Sequence, residues 1–146
     1  MGRWRAGLAT AAVAGAAGCT LPTAGNCSHA FLDPVVSITA ATSQPTGQGI
    51  STVLLTDVRV GGTVVPVGFL LNEGRNATAR GDTLVCGIPC GFGTTEGRYQ
   101  ATISAPGHVS RGLAFTARYQ TFHGGCPSFN SGSTTVTLSL DRVAGS

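Results

Sequence analysis

"RYQATISAPGH", residues 98–108, carries two signals in eleven residues. Tyr99, Ala101, Ile103 and Ala105 fall on one face, while Arg98, Gln100, Thr102 and Ser104 fall on the other. A period of two with one apolar wall is the pattern of a half-buried antiparallel strand. The run then stops at Pro106-Gly107. Proline pre-sets the first central position of a type II turn, and glycine accepts the positive φ of the second. The chain therefore reverses, with His108 capping the turn, and the next alternating run should lie beside the first. That run is "LAFTARY", 113–119, with Leu113, Phe115, Ala117 and Tyr119 opposed to Ala114, Thr116 and Arg118. The same alternation returns in "TTVTLSL", 134–140, through Val136, Leu138 and Leu140.

Earlier runs are β-rich but less regular. "VVSITAAT" (35–42), "STVLLTDVRV" (51–60) and "VVPVGFLL" (64–71) carry apolar residues on both faces. Pro66 has no N–H for a ladder and belongs at an edge or bulge. Gly61-Gly62 fits a two-residue hairpin turn, and "DTLVC" (82–86) adds a short strand. No stretch shows helical spacing over ten residues. About seven short strands separated by turn residues predict an all-β fold, a single antiparallel β-sandwich.

Composition narrows the function classes. Charged residues make up only 10% of the chain, and all nine basic residues are arginine. The net charge of +3 includes Arg3 and Arg5, which lie in the first few residues. The remaining seven arginines meet six scattered acids without forming a basic stripe, so nucleic acid is not expected as a partner.

Residues 1–18 have the layout of a cleaved secretory leader. Arg3 and Arg5 precede the short apolar run "AGLATAAVAGAA", 6–17. A bilayer core needs about 20 apolar residues, and this run ends well before that. Its end, Ala16-Ala17-Gly18-Cys19, resembles a bacterial lipobox. The resemblance implies cleavage before Cys19, lipid on its sulfur and, with Thr20 rather than Asp next, the outer membrane in a cell that has two. The rival reading is cleavage after Ala14-Gly15-Ala16, which leaves Cys19 as a free thiol in a secreted protein. Five cysteines favour the lipid, because removing Cys19 leaves an even set: Cys27, Cys86, Cys90 and Cys126. Residues 19–34, with Pro22, Gly25 and Pro34, form a short tether ahead of a domain at 35–146.

"GRYQATISAPGH" (97–108), followed by the terminal "TTVTLSL", resembles the carboxypeptidase regulatory-like domain. Gly97, Tyr99, Ala105, Pro106 and Gly107 carry the match, and His108 stands where that family more often has an aromatic residue. The resemblance implies a sandwich of the transthyretin-like kind, close in architecture to immunoglobulin-like domains, and no catalysis. If first and last strands run parallel in such a sandwich, Cys27 and Cys126 meet at one end. The pairs are then 27–126 and 86–90, the alternative being that Cys86 and Cys90 each reach one of the distant two.

The residues suggest no catalytic, cofactor or metal site. Cys86 and Cys90 lack metal-knuckle spacing, and no zinc-helix motif surrounds His29, His108 or His123. No Gly-x-Ser-x-Gly elbow is present. Glu73 and Glu96 sit by loop glycines as turn-solvating acids. Arg80-Gly81-Asp82 is explained as a polar turn, and the glycosylation-acceptor triplets at Asn26 and Asn76 have no expected role in a bacterial lipoprotein. "CGIPCGFGTTEG" (86–97) and "FHGGCPSFNSGS" (122–133) offer Phe92, Phe122 and Phe129 as a recognition surface or, the favoured reading, Phe92 and Phe129 as plugs at the end of the core. The expectation is a non-enzymatic, lipid-anchored envelope protein that displays its sandwich to an unidentified protein or glycan partner. The alternative is a secreted carbohydrate- or protein-binding module.

Overall fold

A computed structural model describes residues 34–72, 75–119 and 134–145. Within them the chain forms nine strands: β1 (Val36–Gln44), β2 (Thr52–Val60), β3 (Thr63–Val64), β4 (Ala77–Arg80), β5 (Thr83–Gly87), β6 (Cys90–Phe92), β7 (Gly97–Ser104), β8 (Arg111–Ala117) and β9 (Thr134–Asp141). They pack as two sheets. The small sheet has the order β6-β1-β9, and the large one has the order β4-β5-β2-β7-β8, with β3 paired to β2. The all-β sandwich expected from the sequence is the fold.

The three clean runs become β7, β8 and β9 with the expected faces. Tyr99, Ile103 and Ala105 are buried, as are Ala117, Leu138 and Leu140. β7 and β8 pair antiparallel across the Pro106-Gly107 turn, which His108 closes by donating its N–H to the Ala105 carbonyl at 3.0 Å. Gly61 and Gly62, at φ 60° and 86°, make the two-residue turn between β2 and β3, a backbone twist that residues with a Cβ adopt only under strain.

The irregular strands owe their pattern to bulges. In β2 the pairing with β7 steps from Thr56 opposite Thr102 to Arg59 opposite Gln100, so the strand gains one residue, and Asp57 sits at φ 49°. Val53 and Leu55 face the core before the step, and Val58 faces it after. An extra residue reverses the parity of a strand, which is why the run looked apolar on both faces. β1 does the same between Ile38 and Ala40, so that Ala41 rather than Ala40 returns to the interior.

Some expectations changed. The run 64–71 is not one strand: β3 ends at Val64 and a 3-10 turn occupies Val67–Leu70. Pro66 cannot donate to the ladder, and its carbonyl instead accepts the Phe69 N–H at 3.0 Å. β4 and β6 had no signal, since β4 is short and mostly exposed while β6 is three buried residues with no alternation. β1 and β9 pair parallel, whereas the other strand pairs are antiparallel. The first strand thus lies between the sixth and the last, unlike the immunoglobulin constant-type order in which it adjoins the second.

The core fills the space between the sheets with Val36, Ile38, Val53, Leu55, Leu84, Phe92, Tyr99 and Ile103 among others. Each such side chain contributes about 1.5–3 kcal/mol by leaving water. Tyr99 meets Phe92 edge-on at 6.2 Å between centroids and stacks on Phe115 at 5.6 Å. Its hydroxyl donates to the Thr95 carbonyl, four residues upstream, at 2.8 Å. This is the same kind of short-range lock as the tyrosine corner of Greek-key sandwiches.

Candidate functional site

The two ends of the sandwich are set by β1. At its start, Val35 donates to the Gly93 carbonyl and accepts from the Thr134 N–H. At its finish, about 30 Å away for nine extended residues, Gln44 pairs with Asp141. The chain enters at the first end. At the second, two turns and Arg142 just after β9 enclose a cleft of about 400 Å³.

The cleft is built by backbone first. After β1 the chain doubles back, with Thr42 bridged to Gly49, the Ser43 N–H on the Gln48 carbonyl at 2.8 Å and the Ile50 N–H on the Ala41 carbonyl at 2.8 Å. The turn between β7 and β8 closes the other wall through a bridge between His108 and Arg142 and a bond from the Val143 N–H to the Gly107 carbonyl. Ser43, Gln48, Ile50, Pro106, His108 and Arg142 line the opening.

One side-chain contact ties the walls together. His108 Nδ1 lies 2.8 Å from the Pro106 carbonyl and Nε2 lies 2.9 Å from Ser43 Oγ. A carbonyl only accepts, so Nδ1 carries the proton, and in the neutral ring Nε2 accepts the serine hydroxyl. A hydroxyl at that distance from an imidazole is within reach of proton transfer. Ser43, however, is only 4% exposed, and the ring is oriented by a backbone carbonyl, so the pair clamps the β7–β8 turn onto the end of β1. The turn-capping role expected of His108 is present. The partner 65 residues away had no signature in the sequence.

Cys86 and Cys90 form a disulfide with Cα atoms 5.6 Å apart. Cys86 lies in β5 of the large sheet and Cys90 in β6 of the small one, so the bond joins the two layers. Cys19, Cys27 and Cys126 lie outside the described residues, as do His29, His123, Phe122, Phe129 and Glu73. The chain segments that lead to Cys27 and Cys126 leave the described fold side by side, at Val35 and Thr134, which are joined by a 3.1 Å hydrogen bond.

Phe92 is a core plug, fully buried against Tyr99. Glu96 Oε1 accepts the Tyr119 N–H at 2.7 Å, holding the chain just after β8 to the loop before β7. Arg80-Gly81-Asp82 forms the exposed tip of the β4–β5 hairpin. Burial, and secondarily the neighbouring Tyr119 phenol, push the Tyr99 hydroxyl up from 10.0 to about 12. Among the described residues there is no group of three or more potential metal-ligating side chains, and no helix long and apolar enough to cross a membrane.

Compared with protein-family models, curated proteins and solved structures, the chain matches none. What the fold and the cleft define is a class of architecture: a two-sheet, all-β sandwich with one plugged end and one open end.

Proposed function

We propose that the protein is a lipid-anchored module of the cell envelope that works by display rather than by turnover, holding a β-sandwich of the carboxypeptidase regulatory-like kind away from the membrane for a protein or glycan partner. The observation that carries this reading is the opposition of the two ends. The segment that follows Cys19 joins the fold beside Gly93, while the cleft around His108 opens at the far end of β1. A tether at one end and a recessed, half-polar surface at the other is the layout that presentation requires. Loops and turns on a rigid scaffold are where recognition residues concentrate. The lipobox-like run before Cys19 and the odd cysteine count support the anchor.

Metabolic labelling with a palmitate analogue tests the anchor. Labelling of the wild type that is lost in Cys19→Ala supports it. An unlabelled wild type recovered from the medium would leave the secreted binding module in its place.

A further inference from the structure

The end at which the chain enters presents apolar side chains that the core does not bury. Among the described residues, five large hydrophobic side chains are exposed, and three of them fall within 64–71: Val64 at 54%, Phe69 at 77% and Leu71 at 39%. Phe69 projects from the 3-10 turn, whose neighbours Val67 and Leu70 are buried beneath it. The turn is therefore anchored to the core, and Phe69 is presented rather than left loose.

Its location is informative. Gly93 donates to the Leu70 carbonyl at 2.8 Å, and the Gly93 carbonyl accepts the Val35 N–H at 2.8 Å. Phe69 is thus two backbone hydrogen bonds from the point where the chain beyond residue 34 joins the sandwich. About 15 residues separate Cys19 from Pro34, a length that cannot reach beyond about 50 Å. A sandwich held at Cys19 by lipid keeps this end within that distance of the bilayer surface.

We infer that the 64–71 segment is a second, non-covalent membrane contact, with Phe69, Leu71 and Val64 entering the interfacial layer of the bilayer in which Cys19 is anchored. This rests on the lipidation of Cys19. A few apolar side chains bind a membrane only weakly from solution, and affinity scales with the apolar area that enters. Tethering turns the contact into an intramolecular event at high effective concentration, so a weak contact becomes populated. The occupant is the lipid surface itself. The contact orients the module with β1 pointing away from the membrane and the cleft outermost.

The test uses the mature, lipidated full chain in phosphatidylcholine vesicles. Phe69→Trp places a reporter on the turn, and Val109→Trp places one beside the cleft; Trp4, in the leader, is the chain's own tryptophan. Brominated phosphatidylcholine should quench the reporter at 69 by about half or more and the one at 109 by less than about a tenth. In the unsubstituted protein, amide exchange over 67–71 should slow on vesicles relative to Cys19→Ala in solution. Mass spectrometry showing an unmodified Cys19 would remove the anchor and this contact together. A lipidated protein that floats with vesicles, yet shows no quenching at 69 and unchanged exchange, would overturn the contact alone. Emission at 69 that shifts to the blue with protein concentration but is insensitive to brominated lipid would assign the patch to a second copy instead, which also overturns it.

Discussion

At the end where the chain enters, Phe92, Tyr99 and Phe115 pack ring against ring, and the Tyr99 hydroxyl is tied to the loop below it. At the opposite end the walls of the cleft are held by backbone turns and the bond between His108 and Ser43. The first end is closed by stacked aromatic area, whereas the second, with Ala105 and Leu140 buried beneath it, is closed at its surface by directed polar contacts. Apolar burial accumulates with area, whereas a single hydrogen bond adds a net of about 1 kcal/mol. Stability is therefore expected to be concentrated at the end where Val35 joins the fold, leaving the open end adjustable at small cost.

The sharpest way to break this contrast is Tyr99→Ala. It removes both ring contacts and should lower unfolding free energy by about 3–5 kcal/mol in a denaturant titration. A loss under 1 kcal/mol would mean that the aromatic end is not the stable one. Replacing Cys86 and Cys90 together by alanine releases the link between the sheets and should cost about 2 kcal/mol, because the bond closes a loop of only a few residues.

Alkaline pH addresses Tyr99 differently. Its folded pKa of about 12 lies above its unfolded value of 10.0, so the stabilisation is complete below pH 10 and is lost as pH rises towards 12. Wild type should weaken over that window, whereas Tyr99→Phe should show a flatter profile when melting temperature is followed against pH. At the other end, His108→Ala leaves the buried Ser43 hydroxyl without its ring partner and should cost about 1–3 kcal/mol. Faster amide exchange should be confined to 43–50 and 105–109, since the aromatic end does not depend on it. The smallest effect is expected from Asp57→Asn. The Asp57–Arg59 ion pair is exposed at 3.1 Å, and such pairs contribute about 0–1 kcal/mol. Asparagine also tolerates the positive φ of the bulge, so a shift above about 1 kcal/mol would show that the charge does more than cover the sheet.

How far the sequence disclosed this molecule follows from its bulges. β7, β8 and β9 alternate without interruption through their buried residues, so their inward faces could be assigned directly. β1 and β2 each change parity at one residue, Thr39 and Asp57, and a pattern search with a fixed period averages the two halves into apparent disorder. β6 could not be seen because three buried residues carry no period. The disulfide between neighbouring cysteines was legible as part of one of the three possible pairings of four cysteines. The cleft was not, because Ser43 and His108 are brought together only when β1 and the β7–β8 turn finish at the same end. The one local sign was the proline-glycine turn that positions the histidine.

The parallel pairing of β1 with β9 has a mechanical consequence. The chain joins β1 at one end of the domain and leaves β9 at the other, with eight residue pairs in register between them. Tension applied across the domain would pull these neighbours in opposite directions along their length. Their hydrogen bonds lie across the direction of pull and must yield together rather than unzip one by one. The domain would thus resist stretching as a shear joint, its breaking governed by the rate of crossing one cooperative barrier rather than by equilibrium stability.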